Sequence, residues 1–365
     1  MTLPSARTTT MLLGAASVVV VLAGVKAASE IVWPVMLALA LTVLLHPLRR
    51  RLERRVPVWL ASTTLLVTAV ALLLSLALSV GLAIARLAQL VPSYASEYDD
   101  LGANIEKTLD ALGVGTEQVD AMAAKVDPQR IVDVATSLLS NVASLTSSLF
   151  LIVTLLVFFA FDAAKTDGLV RLARAHRPQL VEALESFASG TRSYFGVSAV
   201  FGLIVAVIDT AVLWVLGVPG AFIWGVLAFV TNFIPNIGFV IGIIPPALIA
   251  LLEGGPSLML WVIVLYAAVN VVIQSFIQPR FVGDAVGLST SLTFLSLVFW
   301  TWILGPIGAL LAVPSSLLAR ALLVEADVAQ RWRLPLISGA PEGASRGDRS
   351  GPPPDDDAAP IQDGA

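Results

Sequence analysis

The chain contains no cysteine, two histidines and four lysines, and only 13% of its 365 residues are charged. Each scarcity removes a class of chemistry. Without cysteine there is no disulfide scaffold, no thiol nucleophile and no thiolate metal site. His46 and His176 stand too far apart for one helix to present both to a metal. None of Lys26, Lys107, Lys125 and Lys165 follows a glycine, so the phosphate-cradling Gly-Lys loop of nucleotide-driven pumps is missing. The residues therefore offer no catalytic set, no metal site and no cofactor site. The shortage of charge is the broadest exclusion. Soluble proteins carry roughly 25% charged residues, so the whole chain does not read as a soluble enzyme, a nucleic-acid binder or a secreted module.

What the chain does have is apolar residues, 57% of the total. More than half of it lies in eight uncharged runs, 8–25, 31–48, 56–85, 134–161, 193–208, 210–252, 254–279 and 285–319. A helix needs about 20 apolar residues to cross a bilayer. The pattern predicts an all-α polytopic membrane protein with about eight transmembrane helices, near 9–25, 31–46, 58–85, 143–161, 194–217, 221–252, 257–278 and 291–320. The first run is short, and the chain is apolar again by Ile31. That spacing suits a hairpin between two spans better than a signal peptide with a cleavage site.

The few charges are sorted by place. Arg49, Arg50, Arg51, Arg54 and Arg55 follow the second span. Basic residues favour the cytoplasmic side, so this loop and both termini are expected there. The expected organisation is three spans in 1–85 and an acidic extracytoplasmic helical hairpin in 86–142. A fourth span and a cytoplasmic amphipathic helix follow in 143–192, then a transport core in 193–325 and a disordered cytoplasmic tail in 326–365. In the outer hairpin, Tyr94, Tyr98, Leu101, Ile105, Leu109 and Leu112 recur at helical spacing. That stripe serves either packing within the hairpin or contact with a neighbouring protomer. In the amphipathic helix, Arg171, Arg174 and Arg177 form either a solvated face or an anionic-lipid site.

Run 210–252 is interrupted by Pro235, Gly238, Pro245 and Pro246, and the last span by Pro306, Gly308 and Pro314. Proline removes a backbone donor and clashes with the preceding turn. Each segment is therefore expected to be broken, either re-entrant or crossing as two half-helices. Each follows an intact helix, and with both pairs running up then down the repeat is expected to be parallel. Paired interrupted segments mark a transporter's binding site; the alternative is that the small residues only aid close packing. Between them, Asn270, Gln274 and Gln278 repeat every fourth residue on one helix face. Together with Asn232 and Asn236 they supply amides that both donate and accept, as a neutral polyhydroxylated solute requires. The alternative is ordinary helix–helix hydrogen bonding. Asp209 is the one acid inside a span, a candidate proton or cation site unless it reaches water at the outer end.

These residues are similar to the autoinducer-2 exporter family of bacterial membrane proteins over roughly 10–325. The likeness is carried by Phe222-Ile223-Trp224-Gly225 through Asn236-Ile237-Gly238 and Pro245-Pro246. It continues in Gln278-Pro279-Arg280, Gly283, Gly287-Leu288-Ser289, Phe299-Trp300-Thr301-Trp302 and Leu304-Gly305-Pro306-Ile307-Gly308, and His46-Pro47-Leu48 also fits. The quorum-signal exporter branch is the most similar by eye, although it often carries Glu where this chain has Gln278. The resemblance implies about eight spans, a homo-oligomer and ATP-independent export of a small polar signalling molecule across the bacterial inner membrane. Three functional readings stand: such an exporter, partnered by solute and lipid and by no nucleic acid; a sodium/proton antiporter using Asp209; and a non-transporting scaffold acting through 86–142.

Overall fold

A computed structural model describes residues 6–93, 148–162, 166–235, 237–278, 287–327, 330 and 333–338. Most of the expected outer hairpin and the tail beyond Ser338 therefore lie outside the described residues. Among the described residues every regular element is helical. They are α1 (Ala6–Ala27), α2 (Ser29–Glu53), α3 (Val58–Ser93), α4 (Ser148–Asp162), α5 (Thr166–His176) and α6 (Pro178–Val215). Next come α7 (Ala221–Thr231), α8 (Gly238–Val271), α9 (Thr290–Leu304), α10 (Pro306–Arg320) and α11 (Leu334–Ser338). A π-helical turn, Val272–Ile277, extends α8, and a second, Ala321–Glu325, extends α10.

Local chemistry accounts for several boundaries. Pro178 and Pro306 open α6 and α10 at positions whose N–H has no helical partner. The Ser289 hydroxyl caps α9 by accepting from the Leu292 N–H at 3.3 Å. Gly305, at φ 71° and ψ −160°, turns the chain from α9 into α10 in a single residue.

Helix α6 is the ruler of the fold. Its 38 residues span about 57 Å at a 1.5 Å rise, well beyond the ~30 Å hydrocarbon core. Near its C-terminal end, Leu213 shares a buried cluster with Val218, Trp224, Ile249, Ala250, Val262 and Tyr266. The entry to α7, the far end of the first arm of α8 and the start of its second arm all belong to that cluster, so the segment from 221 to 254 leaves this end and returns to it. Near the other end, Ala183 and Phe187 pack with Val313, Leu317 and Ala321, and Leu288 joins them. The segment α9–α10 thus leaves and returns at the N-terminal end of α6. Arg50 and Glu185 line one crevice of about 430 Å³ with Arg171 and Arg174, which puts the arginine cluster that follows the second span, the collar, at that same end.

The two broken segments are helical hairpins approaching from opposite ends, and their tips meet midway. Phe233 from the first tip and Ile307 from the second pack on one cluster with Leu37, Leu41, Phe195 and Leu311. The Tyr194 hydroxyl donates to the Phe233 carbonyl at 2.6 Å. In each hairpin a glycine near the start of the returning arm lies hard against a carbonyl of the outgoing one. Gly238 abuts the Thr231 carbonyl and Gly308 the Trp300 carbonyl, and neither site has room for a Cβ. Among the described residues five helices suit a crossing by length and composition, Pro306–Glu325 among them. Its antiparallel pairing with α9 shows instead that it begins at the junction of the tips and runs back to the collar end.

Three expectations need correction. The repeat is inverted rather than parallel, because both hairpins return to the end they leave. Helix α8 runs through Pro245 and Pro246, and α10 runs through Pro314. An internal proline forfeits one hydrogen bond, which packed membrane helices tolerate. The chain departs from helical geometry instead at Gly255, with φ 73° and ψ −169°, immediately before Pro256. The expected tail is structured at its start: Leu334 and Ile337 are half-buried, and the Ile337 carbonyl accepts from the Ser289 N–H at 3.0 Å. Pro235, Gly238, Pro306 and Gly308 do lie at the two breaks.

Candidate functional site

Four of the candidate polar residues converge beside the first hairpin tip. Asn232 is the first residue beyond α7, and its side-chain amide donates to the Ser198 carbonyl of α6 at 3.1 Å. Gln274 donates to the Asn270 carbonyl oxygen at 2.9 Å and lies 3.5 Å from that of Asn232. Asn270 donates to the Tyr266 backbone carbonyl at 2.9 Å. One amide chain thus joins α6, the tip and the π-helical end of α8. Each such contact is worth only about 0.6 kcal/mol in a membrane protein, so the network locates the tip without welding it.

Beside the amides lies a small cavity of about 10 Å³, lined by Val205, Asp209, Ala228, Thr231, Asn232, Phe239, Gly242, Tyr266 and Asn270. That is room for a single water. Asp209 is fully buried, so it does not reach water at the end of its span. Among the described residues neither of its carboxylate oxygens has a hydrogen-bond partner, nor does the buried Tyr266 hydroxyl. An ionised, unpaired carboxylate at such a place forfeits several kcal/mol of hydration.

Of the remaining candidates, Asn236 lies outside the described residues. Gln278 is half-buried, and among the described residues no hydrogen bond joins it to the amide chain. The expected face assumed continuous α-helix, but residues 272–277 form a π turn. Each residue such a turn adds rotates the downstream side chains by about 100°. Sequence reasoning missed Tyr266 and Thr231. Tyr266 stands four residues before Asn270 and extends the same stripe by one turn, so the signal was present. Thr231, whose hydroxyl bonds the Ala228 carbonyl at 3.2 Å, gave no such signal.

The family model for AI-2E family transporters matches residues 16–326. The chain is 33% identical over 306 residues to "AI-2 transport protein TqsA" of Escherichia coli K12, covering 84% of this chain and 89% of that protein. It is 32% identical over 310 residues to "Putative transport protein YhhT" of the same strain, covering 83% and 87%. A match of this extent takes in both hairpins, the amide chain and the buried carboxylate, and the chain belongs to the AI-2E transporter family.

Proposed function

We propose that this protein is a secondary transporter of the bacterial inner membrane that exports a small polar signalling molecule such as autoinducer-2, with both termini cytoplasmic. The observation that carries the reading is the amide chain Asn232–Gln274–Asn270 at the junction of two opposed hairpin tips. Amides pair with hydroxyls either as donors or as acceptors, so the cluster suits a neutral, polyhydroxylated solute. The name of the relative TqsA supports that class of solute. A cavity of about 10 Å³ holds a water but not such a solute, so the arrangement is a closed one. Loading requires one tip to withdraw. Because the tips approach from opposite ends of α6, withdrawing either opens the junction toward one side only.

The test is flux of labelled autoinducer-2 in liposomes holding the purified protein, without ATP. Counterflow is expected in the wild type. The pair Asn270→Ala with Gln274→Ala is expected to reduce its rate or raise the half-saturating concentration. A double variant that matches the wild type in both would refute the path.

A further inference from the structure

Resting on that reading of the junction, we propose that Asp209 is the proton-coupling carboxyl of the transporter. It is protonated while the tips are closed, and it gives up its proton through the cavity it shares with Tyr266 as the amides open.

The groups facing the cavity come from every element around it. Helix α6 contributes Val205 beside Asp209, and α7 contributes Ala228 and Thr231, with Asn232 from the tip. The first arm of α8 contributes Phe239 and Gly242, and its second arm Tyr266 and Asn270. None of them carries a positive charge, and only Tyr266 titrates at all. Among the described residues no ion pair reaches Asp209. A carboxyl walled in this way is at rest as the neutral acid, which needs only one acceptor for its O–H. The Tyr266 hydroxyl lines the same space without a partner among the described residues, and the single water which that space admits joins it to the acid O–H.

A metal cation is the poorer occupant. Hard cations take six or more oxygen ligands. Here the Asn270 side-chain oxygen already accepts from Gln274 and the Asn232 oxygen faces the same amide, so a cation would compete with those bonds. The space of about 10 Å³ admits one water and leaves no room for the further waters that would complete a shell.

The link to the solute path is direct, because Asn232 and Asn270 belong both to the cavity lining and to the amide chain. Once ionised, the carboxylate draws hydrogen-bond donors toward itself. The donors at hand are the Asn232 amide, now given to the Ser198 carbonyl, and the Asn270 amide, now given to the Tyr266 carbonyl. Taking the first moves the hairpin tip from the Ser198 carbonyl to the carboxylate, about three turns further along the same helix α6. Loss of the proton and the shift of the tip along α6 are then one event.

Two measurements on the full-length protein test this. The first needs no solute. The infrared difference spectrum of wild type against Asp209→Asn at neutral pH is expected to show one protonated carboxylic-acid C=O band, lost in the variant and shifted rather than lost in Asp209→Glu. The second uses liposomes loaded with labelled autoinducer-2. A proton gradient is expected to accelerate wild-type flux, and whatever flux remains in Asp209→Asn is expected to ignore the gradient. The proposal is overturned if no acid band depends on residue 209, or if Asp209→Asn keeps its response to the proton gradient. It is also overturned if that substitution abolishes a response to sodium instead. If the wild type shows no counterflow of autoinducer-2, the solute reading fails, and the infrared band still decides the state of Asp209. Should Asp209→Asn not fold, the band shift in Asp209→Glu carries the decision.

Discussion

Replacing Gly202 by alanine tests whether the first hairpin tip docks on α6 through Asn232. A Cβ at position 202 falls 2.9 Å from the Asn232 amide nitrogen, 3.3 Å from its Cβ and 3.4 Å from its Cγ, where ordinary contact begins near 3.4 Å. The amide must therefore retreat by roughly 0.5 Å, a displacement that overpacked sites force on their neighbours. Its bond to the Ser198 carbonyl is 3.1 Å and lengthens to about 3.6 Å, beyond a hydrogen bond. Overpacking costs about 1–3 kcal/mol, and the lost bond about 0.5–1.5 kcal/mol. The better helix propensity of alanine returns up to about 1 kcal/mol. A net loss of about 1–3 kcal/mol results, equivalent to about one to two decades in an equilibrium constant. The assay is thermal unfolding of purified protein in detergent, run beside counterflow of labelled autoinducer-2. Gly196 is the internal control. It lies on the same helix, a Cβ there meets nothing within 4 Å, and its alanine variant is expected to melt at or above the wild type. Gly202→Ala is expected to melt several degrees lower and to lose flux. Equal melting of the two variants would refute the docking.

Two other predictions bear on the hairpins themselves. Gly305→Ala forces a side chain onto φ 71° and ψ −160°, a region open essentially to glycine alone, at about 1–3 kcal/mol; an unchanged melting temperature would show that α9 and α10 are joined by another turn. The absence of native cysteine gives a clean background for labelling with a membrane-impermeant maleimide. Val215→Cys and Ser257→Cys are expected to react from one side of the membrane, and Thr290→Cys and Asp327→Cys from the other. Reaction of residues 215 and 257 from opposite sides would restore two simple crossings and refute the first hairpin.

The sequence made the helices legible because hydropathy is a local property, and the eight uncharged runs needed no knowledge of neighbours. Two of the four positions that mark the breaks were legible for a different reason: Pro235 and Pro306 sit at a turn and at a helix start, where the missing N–H costs nothing. Pro245, Pro246 and Pro314 carry the same local signal, yet they lie within continuous helix. What sets the sharpest turns apart is the backbone sign. Among the described residues Gly220, Gly255 and Gly305 each combine φ near +70° with a neighbouring proline, and sign is invisible in composition. The amide stripe was legible up to the π turn, because i+4 spacing holds only while the helix keeps its pitch. Charge could not reveal the inversion. Turning two crossings into two returns leaves the C-terminus on the side where it began, so the arginine count that orients the chain is satisfied by either arrangement. Contacts along α6 break the tie. Leu213 meets residues from both ends of the first hairpin, and Phe187 meets residues from both ends of the second. Opposed tips meeting at Phe233 and Ile307 give a junction with two independent halves, which a parallel repeat would not provide. On the reading proposed above, the groups that sense a proton and a solute, Asp209 and the amides, sit beside the first of those tips.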